Sequence, residues 1–132
     1  MRIRHFELPT ALAERLASPQ ASLSSMERAR VIELLKETET AIPEFYDLEG
    51  ILLTNRLWES EHVKTYLGAE SSIVIPGTID PARTLIIGQA EPDSPIALDY
   101  RTAPPRIVYF GDNGLWIEMF PNYDSLISAI SR

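Results

Sequence analysis

The stretch Thr84–Pro121, TLIIGQAEPDSPIALDYRTAPPRIVYFGDNGLWIEMFP, contains four short apolar runs separated by turn-forming residues. Each run has the length of a strand and is rich in β-branched and aromatic residues. The runs are Leu85–Gly88, Ile96–Arg101, Arg106–Phe110 and Leu115–Phe120. Proline, glycine and asparagine in the breaks turn the chain. Because connections this short join antiparallel neighbours, the stretch predicts a four-stranded antiparallel meander.

The alternation of residue types within the runs predicts two different sheet faces, since successive side chains of a strand point to opposite sides. One face is apolar and needs a cover of helices. In the second run its residues are Ile96, Leu98 and Tyr100. The other face mixes aromatic rings with charge, and is predicted to be either the rim of the core or a contact surface. In the fourth run its residues are Trp116, Glu118 and Phe120.

Apolar periodicity behind capping signals predicts four helices. They run from Leu8-Pro9 to Ser18, from a Ser24–Glu27 capping box to about Glu37, from Asp47 to about Ser60, and over Tyr123–Ser131 behind an Asn122 cap. Their predicted core residues are Leu8, Leu12, Leu16, Met26, Ala29, Ile32, Leu35, Leu48, Ile51, Leu52, Trp58, Tyr123, Leu126, Ile127 and Ile130. Arg2–Phe6 predicts a short strand, and Ser72–Pro76 a strand or an apolar loop packed under the sheet.

Helices followed by strands and a final helix predict the α+β class. We expect a single domain over residues 1–132, with an antiparallel sheet of four or more strands covered on one face by helices.

The composition limits the classes of protein to which this chain can belong. It has no cysteine, which excludes disulfides, a thiolate nucleophile and a cysteine-bound metal. No run of about 18 apolar residues occurs and the N-terminus lacks the apolar segment of a signal peptide, so we expect a cytoplasmic protein. The net charge is −7, and residues 33–70 carry nine acidic against three basic residues. Such charge disfavours nucleic acids and membranes as partners; it either suits a basic protein or simply keeps the chain in solution.

The sequence contains no recognisable catalytic motif. Its two histidines, His5 and His62, lack the spacing of a metal site, and neither a G-x-S-x-G elbow nor a phosphate-binding loop occurs. We therefore predict no catalytic residue, no metal and no cofactor. One alternative stays open, because two carboxylates across a cleft can hydrolyse a glycosidic bond. The carboxylates of the meander are Asp93, Asp99, Asp112 and Glu118.

Two features of the meander have a structural and a functional interpretation. Asp99 and Arg101 stand two apart on one predicted strand face. They form either a surface ion pair, contributing about 0.2–1 kcal/mol, or an anchor for a loop or a partner. The surface ion pair is the favoured interpretation unless the strand face that carries Asp99 and Arg101 is covered by another part of the protein. Trp116 is either a residue of the core rim or an exposed binding anchor.

Several segments of the same stretch resemble the SUKH superfamily. Its members show a strand ending in Ile-Gly, a DSPIALDYR strand, a PRVLYL strand and a strand with Trp, a hydrophobic residue and Glu before a final helix. The similar segments here are Leu85–Gly88, Asp93–Arg101, Pro104–Tyr109, Leu115–Glu118 and Tyr123–Ile127. Toward the N-terminus the Leu8-Pro9 opening of the first helix is similar, but the Asn-Gly-Gly segment of many members is missing.

The resemblance implies an α+β domain that binds proteins and is not an enzyme. Bacterial members are immunity proteins that neutralise a cognate toxin, often a nuclease, and a fungal member is a cell-wall regulator that acts as a protein-interaction module. We therefore expect an immunity protein, with a regulatory or scaffolding module as the alternative. Residues expected from charge and exposure to face a basic toxin are Glu91, Asp93, Asp112, Trp116, Glu118, Glu59, Glu61 and Glu70. Residues that match the family pattern, with an expected structural role, are Gly88, Asp99, Tyr100 and Arg101.

Overall fold

The structure of the chain, a computed structural model, describes residues 1–18, 23–35, 43–59, 63–91 and 93–131. The elements within these ranges confirm the predicted α+β class with a C-terminal helix. The helices are α1 (Thr10–Ala17), α2 (Ser25–Leu35), α3 (Leu48–Leu57) and α4 (Tyr123–Ile130). The strands are β1 (Arg2–Ile3), β2 (Phe6–Glu7), β3 (Glu44–Phe45), β4 (Pro76–Gly77), β5 (Thr84–Glu91), β6 (Ser94–Asp99), β7 (Arg106–Phe110) and β8 (Trp116–Phe120). The predicted helix ends at Glu37 and Ser60 lie outside the described residues.

Six of these strands form one antiparallel sheet in the order β3-β5-β6-β7-β8-β4. Its four central strands are the predicted meander. Strand β6 ends at Asp99, so Tyr100 and Arg101 belong to the turn that follows it. Short strands lie at both edges, where β3 pairs with β5 and β4 pairs with β8. The strands β1 and β2 pair as a separate hairpin, which replaces the single strand predicted for Arg2–Phe6.

The first face of the sheet carries the main core and is covered by α1, α2 and α4, as its apolar alternation predicts. Val31 of α2 and Leu126 of α4 are fully buried in the same cluster as Leu98 of β6. Helix α4 begins after the predicted cap, because the side chain of Asn122 accepts a hydrogen bond of 2.8 Å from the backbone amide of Ser125. The predicted core residues of α4 are confirmed as buried or partly buried.

The predicted inward side of α2 is wrong, although its capping box is present. The Ser24 hydroxyl accepts from the amide of Glu27 at 3.2 Å, and the Glu27 carboxylate accepts from the amide of Ser24 at 3.0 Å. Met26, however, is 70% exposed and Ala29 is exposed, whereas Val31 is fully buried. Because α2 is only weakly amphipathic, its sequence does not mark one face, and packing against the sheet selects the stripe through Val31.

One register shift moves Phe120 to the face opposite the one predicted. Val108 of β7 pairs with Glu118, but Ile107 pairs with Phe120, so β8 contains one extra residue at this point. Phe120 therefore packs against the main core. Strict alternation of side chains along β8 would instead have placed Phe120 on the same face as Trp116. Such a bulge leaves no mark in the apolar pattern, and only the pairing of the strands reveals it.

The second face is also covered. Its buried cluster contains Trp58 at the end of α3, Ile79 and Trp116, with Tyr66 and Phe110 packed against them. The end of α3 and the segment 63–79 thus close this face over the half of the sheet that holds Trp116. The prediction that helices cover one face applies to α1, α2 and α4, while the second face is covered mainly by loop and turn residues.

Two further predictions for this side of the molecule are wrong. Leu52 of α3 is 45% exposed rather than in the core, because α3 contacts the sheet through its neighbours Ile51 and Asn55. Ser72–Pro76 is largely an exposed loop, with Ile73 89% exposed, and not an apolar segment packed under the sheet. Most of this segment lies away from the core, because only its last residue, Pro76, belongs to the strand that pairs with β8.

Asn55 fastens α3 to the edge of β5. Its side-chain oxygen accepts a hydrogen bond of 2.8 Å from the backbone amide of Ile86. Its side-chain nitrogen donates to the backbone oxygens of Ile86 at 2.8 Å and Ile51 at 2.7 Å. Asn55 is only 2% exposed, so its amide acts as a buried substitute for a neighbouring strand. This attachment sets the position of every α3 residue that faces the sheet.

Replacing Asn55 with leucine is expected to lower the free energy of unfolding by about 2–4 kcal/mol, since it leaves two buried backbone groups of Ile86 without partners. The shift of the urea midpoint at constant slope measures this loss. A matched change on the same helix, Thr54→Leu, removes a half-buried polar side chain without breaking these bonds and should cost much less. Equal losses in the two variants would contradict the bridging role of Asn55.

Candidate functional site

Three of the predicted contact residues lie at one end of the sheet. In an antiparallel meander every second turn returns to the same end, so the β5–β6 turn and the β7–β8 turn are neighbours there. Asp93 and Asp112 are exposed in these turns, and Glu91 is half-buried at the end of β5. We call Glu91, Asp93 and Asp112 the acidic turns.

A groove opens on the second face of the sheet beside the β5–β6 turn. Its cavity measures about 150 Å³ and lies between α3 and the strands β5 and β6. We call it the α3 groove; its lining consists of Tyr46, Thr54, Leu57, Trp58, Tyr66, Ile86, Gly88, Gln89 and Pro95. Most of these side chains are apolar or aromatic, which is the usual lining of a binding cleft.

Packed aromatic rings form one wall of the groove. The ring of Tyr66 stacks on Trp58 with centroids 5.5 Å apart, and it meets Phe110 edge-on at 5.0 Å. The indole nitrogen of Trp116 donates a hydrogen bond of 2.6 Å to the backbone oxygen of Tyr66. These contacts hold Tyr66 in place although it belongs to a short 3-10 turn rather than to the sheet.

Gly88 allows the opposite wall to form. Strand β3 pairs with β5 at this residue, and a β-carbon on Gly88 would overlap the backbone oxygen of Glu44. The close approach brings Tyr46, which follows β3, over the groove, where its hydroxyl donates to the side-chain oxygen of Gln89 at 3.2 Å. Gly88 therefore has a structural role, and it also shapes the groove.

Carboxylates lie close to both tyrosines of the groove. Burial and the nearby Glu44 raise the pKa of Tyr46, and burial and the nearby Asp93 raise the pKa of Tyr66. The two carboxylates belong to residues next to the lining at different places, because Glu44 pairs with Gln89 and Asp93 stands two residues before Pro95. The groove itself is lined neither by these carboxylates nor by Arg56 and Lys64, the basic residues on the adjoining elements.

The remaining predicted contact residues do not join this site. Trp116 is fully buried, so its prediction as an exposed partner contact is wrong in this fold. Glu118 lies near Arg106, at 3.7 Å, and the Glu59 carboxylate forms an ion pair with Arg4. Glu70 is exposed beside the loop that leads to β4, at the opposite edge of the sheet from β3. The residue named with them, Glu61, lies outside the described residues, as does His62.

Asp99 and Arg101 form a buried anchor rather than a surface ion pair. The Asp99 carboxylate is fully buried and accepts hydrogen bonds from Arg101 Nε at 3.0 Å and Arg106 Nε at 2.8 Å. Arg101 in turn donates to the backbone oxygen of Thr78 at 2.6 Å, which ties the β6–β7 turn to the segment before β5. Burial of Asp99 opposes its ionisation, but the hydrogen bonds from the two arginines outweigh burial and lower its pKa.

Tyr100 completes this structural group. Its hydroxyl donates a hydrogen bond of 2.8 Å to the backbone oxygen of Glu7, and its ring lies 4.7 Å from that of Phe6. The residue thus joins the turn after β6 to the N-terminal hairpin. Tyr100 and Arg101 thus link segments that are far apart in the chain, and the Asp99 carboxylate holds Arg101 in position for its bond to Thr78.

Sequence reasoning missed most residues of the α3 groove. One signal was present, because α3 carries four leucines and only some of them can face the core. Leu53 and Leu57, four residues apart on one side of the helix, are 54% and 44% exposed. Apolar side chains that are this exposed on one side of a helix are a common mark of an interaction surface.

In the described part of the chain no group of histidine, aspartate or glutamate residues is placed to hold a metal ion, and no helix there is long and apolar enough to cross a membrane. Comparisons of the chain with family models, with curated proteins and with solved structures found no match.

Proposed function

We propose that this chain is a protein-binding domain, not an enzyme, and that it binds a basic partner through the acidic turns and the α3 groove. The observation that carries the proposal is the position of the groove, an open apolar cleft at the acidic end of the sheet, next to Glu44, which pairs with Gln89, and to Asp93 in the β5–β6 turn. Apolar surface supplies affinity, and acidic surroundings select partners of positive charge.

The resemblance to the SUKH superfamily supports a more specific version of this proposal. In it the chain is an immunity protein that blocks a cognate toxin, for example a basic nuclease, in the cytoplasm of the producing cell or its siblings. The acidic turns would cover the basic surface that such a nuclease uses for nucleic acid. A regulatory or scaffolding module with the same binding surface, but no toxin, is the alternative.

A carboxylate-dependent hydrolase has less support. Such an enzyme needs a general acid whose pKa is raised, in a cleft shared with a second carboxylate. The carboxyl groups with a shifted pKa in the described residues are Asp99 and Glu27. In both, burial is outweighed by hydrogen bonds, with arginine as a donor in each case, and the pKa is lowered. The α3 groove is not lined by any carboxylate.

The test is co-expression of the chain with the toxin-domain product of a neighbouring gene, followed by measurement of cell survival and of complex formation. Rescue with a stable one-to-one complex is the expected result. Toxicity without rescue and without a complex would reject that pairing, and would favour the regulatory module.

Two double variants of equal charge locate the binding surface in the same assay. Asp93→Asn with Asp112→Asn is expected to weaken the complex by about tenfold at low salt, because it removes charge from the acidic turns. Glu59→Gln with Glu70→Gln removes the same charge elsewhere and is expected to change the affinity by less than about threefold. If Glu59→Gln with Glu70→Gln instead weakened the complex more than the other double variant, the binding surface would lie on the acidic segment 33–70.

A further inference from the structure

We infer that the α3 groove receives one apolar side chain of about the size of a phenyl ring, presented by a partner segment in which lysine or arginine flanks that side chain. The inference rests on the proposed function and specifies what the partner must offer. It concerns what the groove itself receives, and so it can fail while neutralisation of a toxin through the acidic turns holds.

The size of the groove sets the size of the occupant. A dry apolar cavity of about 150 Å³ is known to admit benzene, and the α3 groove has a cavity of about the same volume. Tyr66 and Trp58 are already stacked, and Tyr46 is already hydrogen-bonded to Gln89, so the walls exist before a ligand arrives. Little ordering is then needed on binding, which favours a single buried anchor side chain.

The charges around the groove set the character of the flanking residues. Glu44 pairs with Gln89 of the groove lining, and Asp93 stands two residues before Pro95 of the lining, so exposed carboxylates lie next to the groove at two places. A partner segment with a basic residue on each side of its apolar anchor side chain can place one positive charge near each of these two carboxylates. The exposed side chain of Leu53, one helical turn before Leu57, continues the apolar surface beyond the groove toward the rest of such a segment.

The first experiment uses three short peptides and the isotope-labelled full chain, followed by nuclear magnetic resonance. The probe is acetyl-Gly-Lys-Phe-Lys-Gly-amide; its controls replace phenylalanine with alanine or both lysines with glutamate. The probe is expected to shift the indole N–H signal of Trp58 and the amide signals of Leu57 and Tyr66. Each control is expected to bind about tenfold more weakly, because it lacks either the buried ring or the attractive charges.

A matched pair of variants tests whether the groove itself is responsible. Leu57→Arg and Leu52→Arg introduce the same charge at leucines of similar exposure, 44% and 45%, on the same helix. Only Leu57 lines the groove. Leu57→Arg is expected to reduce probe binding by more than about tenfold, whereas Leu52→Arg is expected to leave it within about threefold of the unmodified chain.

Several results would overturn the inference. They are the absence of shifts at millimolar probe, equal binding of the alanine control, shifts confined to residues outside the groove, or equal effects of the two arginine variants. The proposed function is judged separately. If Leu57→Arg still rescues cells from the toxin as well as the unmodified chain, the groove inference fails and the immunity function stands. If the probe binds in the groove and no toxin is neutralised, the immunity function fails and the groove inference stands.

Discussion

Replacing Asp99 with asparagine is expected to lower the free energy of unfolding by about 3–5 kcal/mol, the usual loss when one partner of a buried ion pair is removed. The carboxylate is fully buried, and Arg101 and Arg106 both donate to it. Asparagine has nearly the same shape but carries no charge, so the two guanidinium groups would lose their shared counter-ion. The loss of the Arg101 position would also loosen its bond to Thr78.

The destabilisation by Asp99→Asn is expected to depend on pH in a defined direction. The pKa of Asp99 is lower in the folded chain than the value near 3.9 of an unfolded aspartate. Its contribution to stability is therefore complete above about pH 4 and is lost as the pH falls through the folded pKa. The difference in unfolding free energy between the unmodified chain and the variant should narrow in that acidic range.

Urea unfolding at several pH values measures both effects, and Glu7→Gln is the control. Glu7 also pairs with an arginine, Arg2 at 3.1 Å, but both side chains are mostly exposed. Its loss is expected to cost at most about 1 kcal/mol. If Asp99→Asn cost no more than Glu7→Gln, the carboxylate would not be the buried anchor described above.

Replacing Trp116 with alanine is expected to destabilise the fold by about 3–5 kcal/mol, which is typical of a large aromatic residue removed from a core. Trp116 is fully buried on the second face, with its ring 5.5 Å from that of Phe110. Any loss of partner binding in this variant is expected to follow from unfolding. An unchanged stability with weaker binding would instead restore Trp116 as a direct contact.

A finer comparison separates the hydrogen bond of Trp116 from its packing. Trp116→Phe loses the bond from the indole nitrogen to the Tyr66 oxygen, whereas the indole nitrogen of Trp58 is buried without a partner among the described residues. Both variants remove the same volume. Trp116→Phe is therefore expected to cost about 1–2 kcal/mol more than Trp58→Phe, as measured by the urea midpoint. Equal costs would show that the bond contributes nothing.

On the second face, the residues that stabilise the fold and the residues proposed to bind a partner thus lie in different parts of the sheet. The Asp99 group ties the turn after β6 to Thr78 near the end of the sheet where β6 ends. The α3 groove lies toward the other end, beside Pro95 at the start of β6. Variants such as Asp99→Asn should lower stability, while Leu57→Arg should lower binding of the probe and leave the fold in place, because Leu57 is partly exposed.

Local signals in the amino-acid sequence were enough to predict the parts of this protein that depend on neighbours in the chain. Alternating apolar residues between breaks of proline, glycine and asparagine define β5–β8, because both signals are local. The caps at Ser24, Asp47 and Asn122 hold for the same reason, since each bonds to an amide three residues along the chain. The resemblance that suggests an immunity protein also lies in this stretch and remains a prediction.

What covers each strand, and where the chain departs from a regular pattern, depends on contacts between residues that are distant in the sequence. The bulge that turns Phe120 to the main core depends on pairing with β7, and the burial of Trp116 depends on Tyr66, far away in the sequence. Asp99 became an anchor rather than a surface pair because its carboxylate is buried and holds Arg101, which donates to Thr78. The α3 groove exists because Asn55 fixes α3 beside β5, a long-range contact that no local pattern encodes.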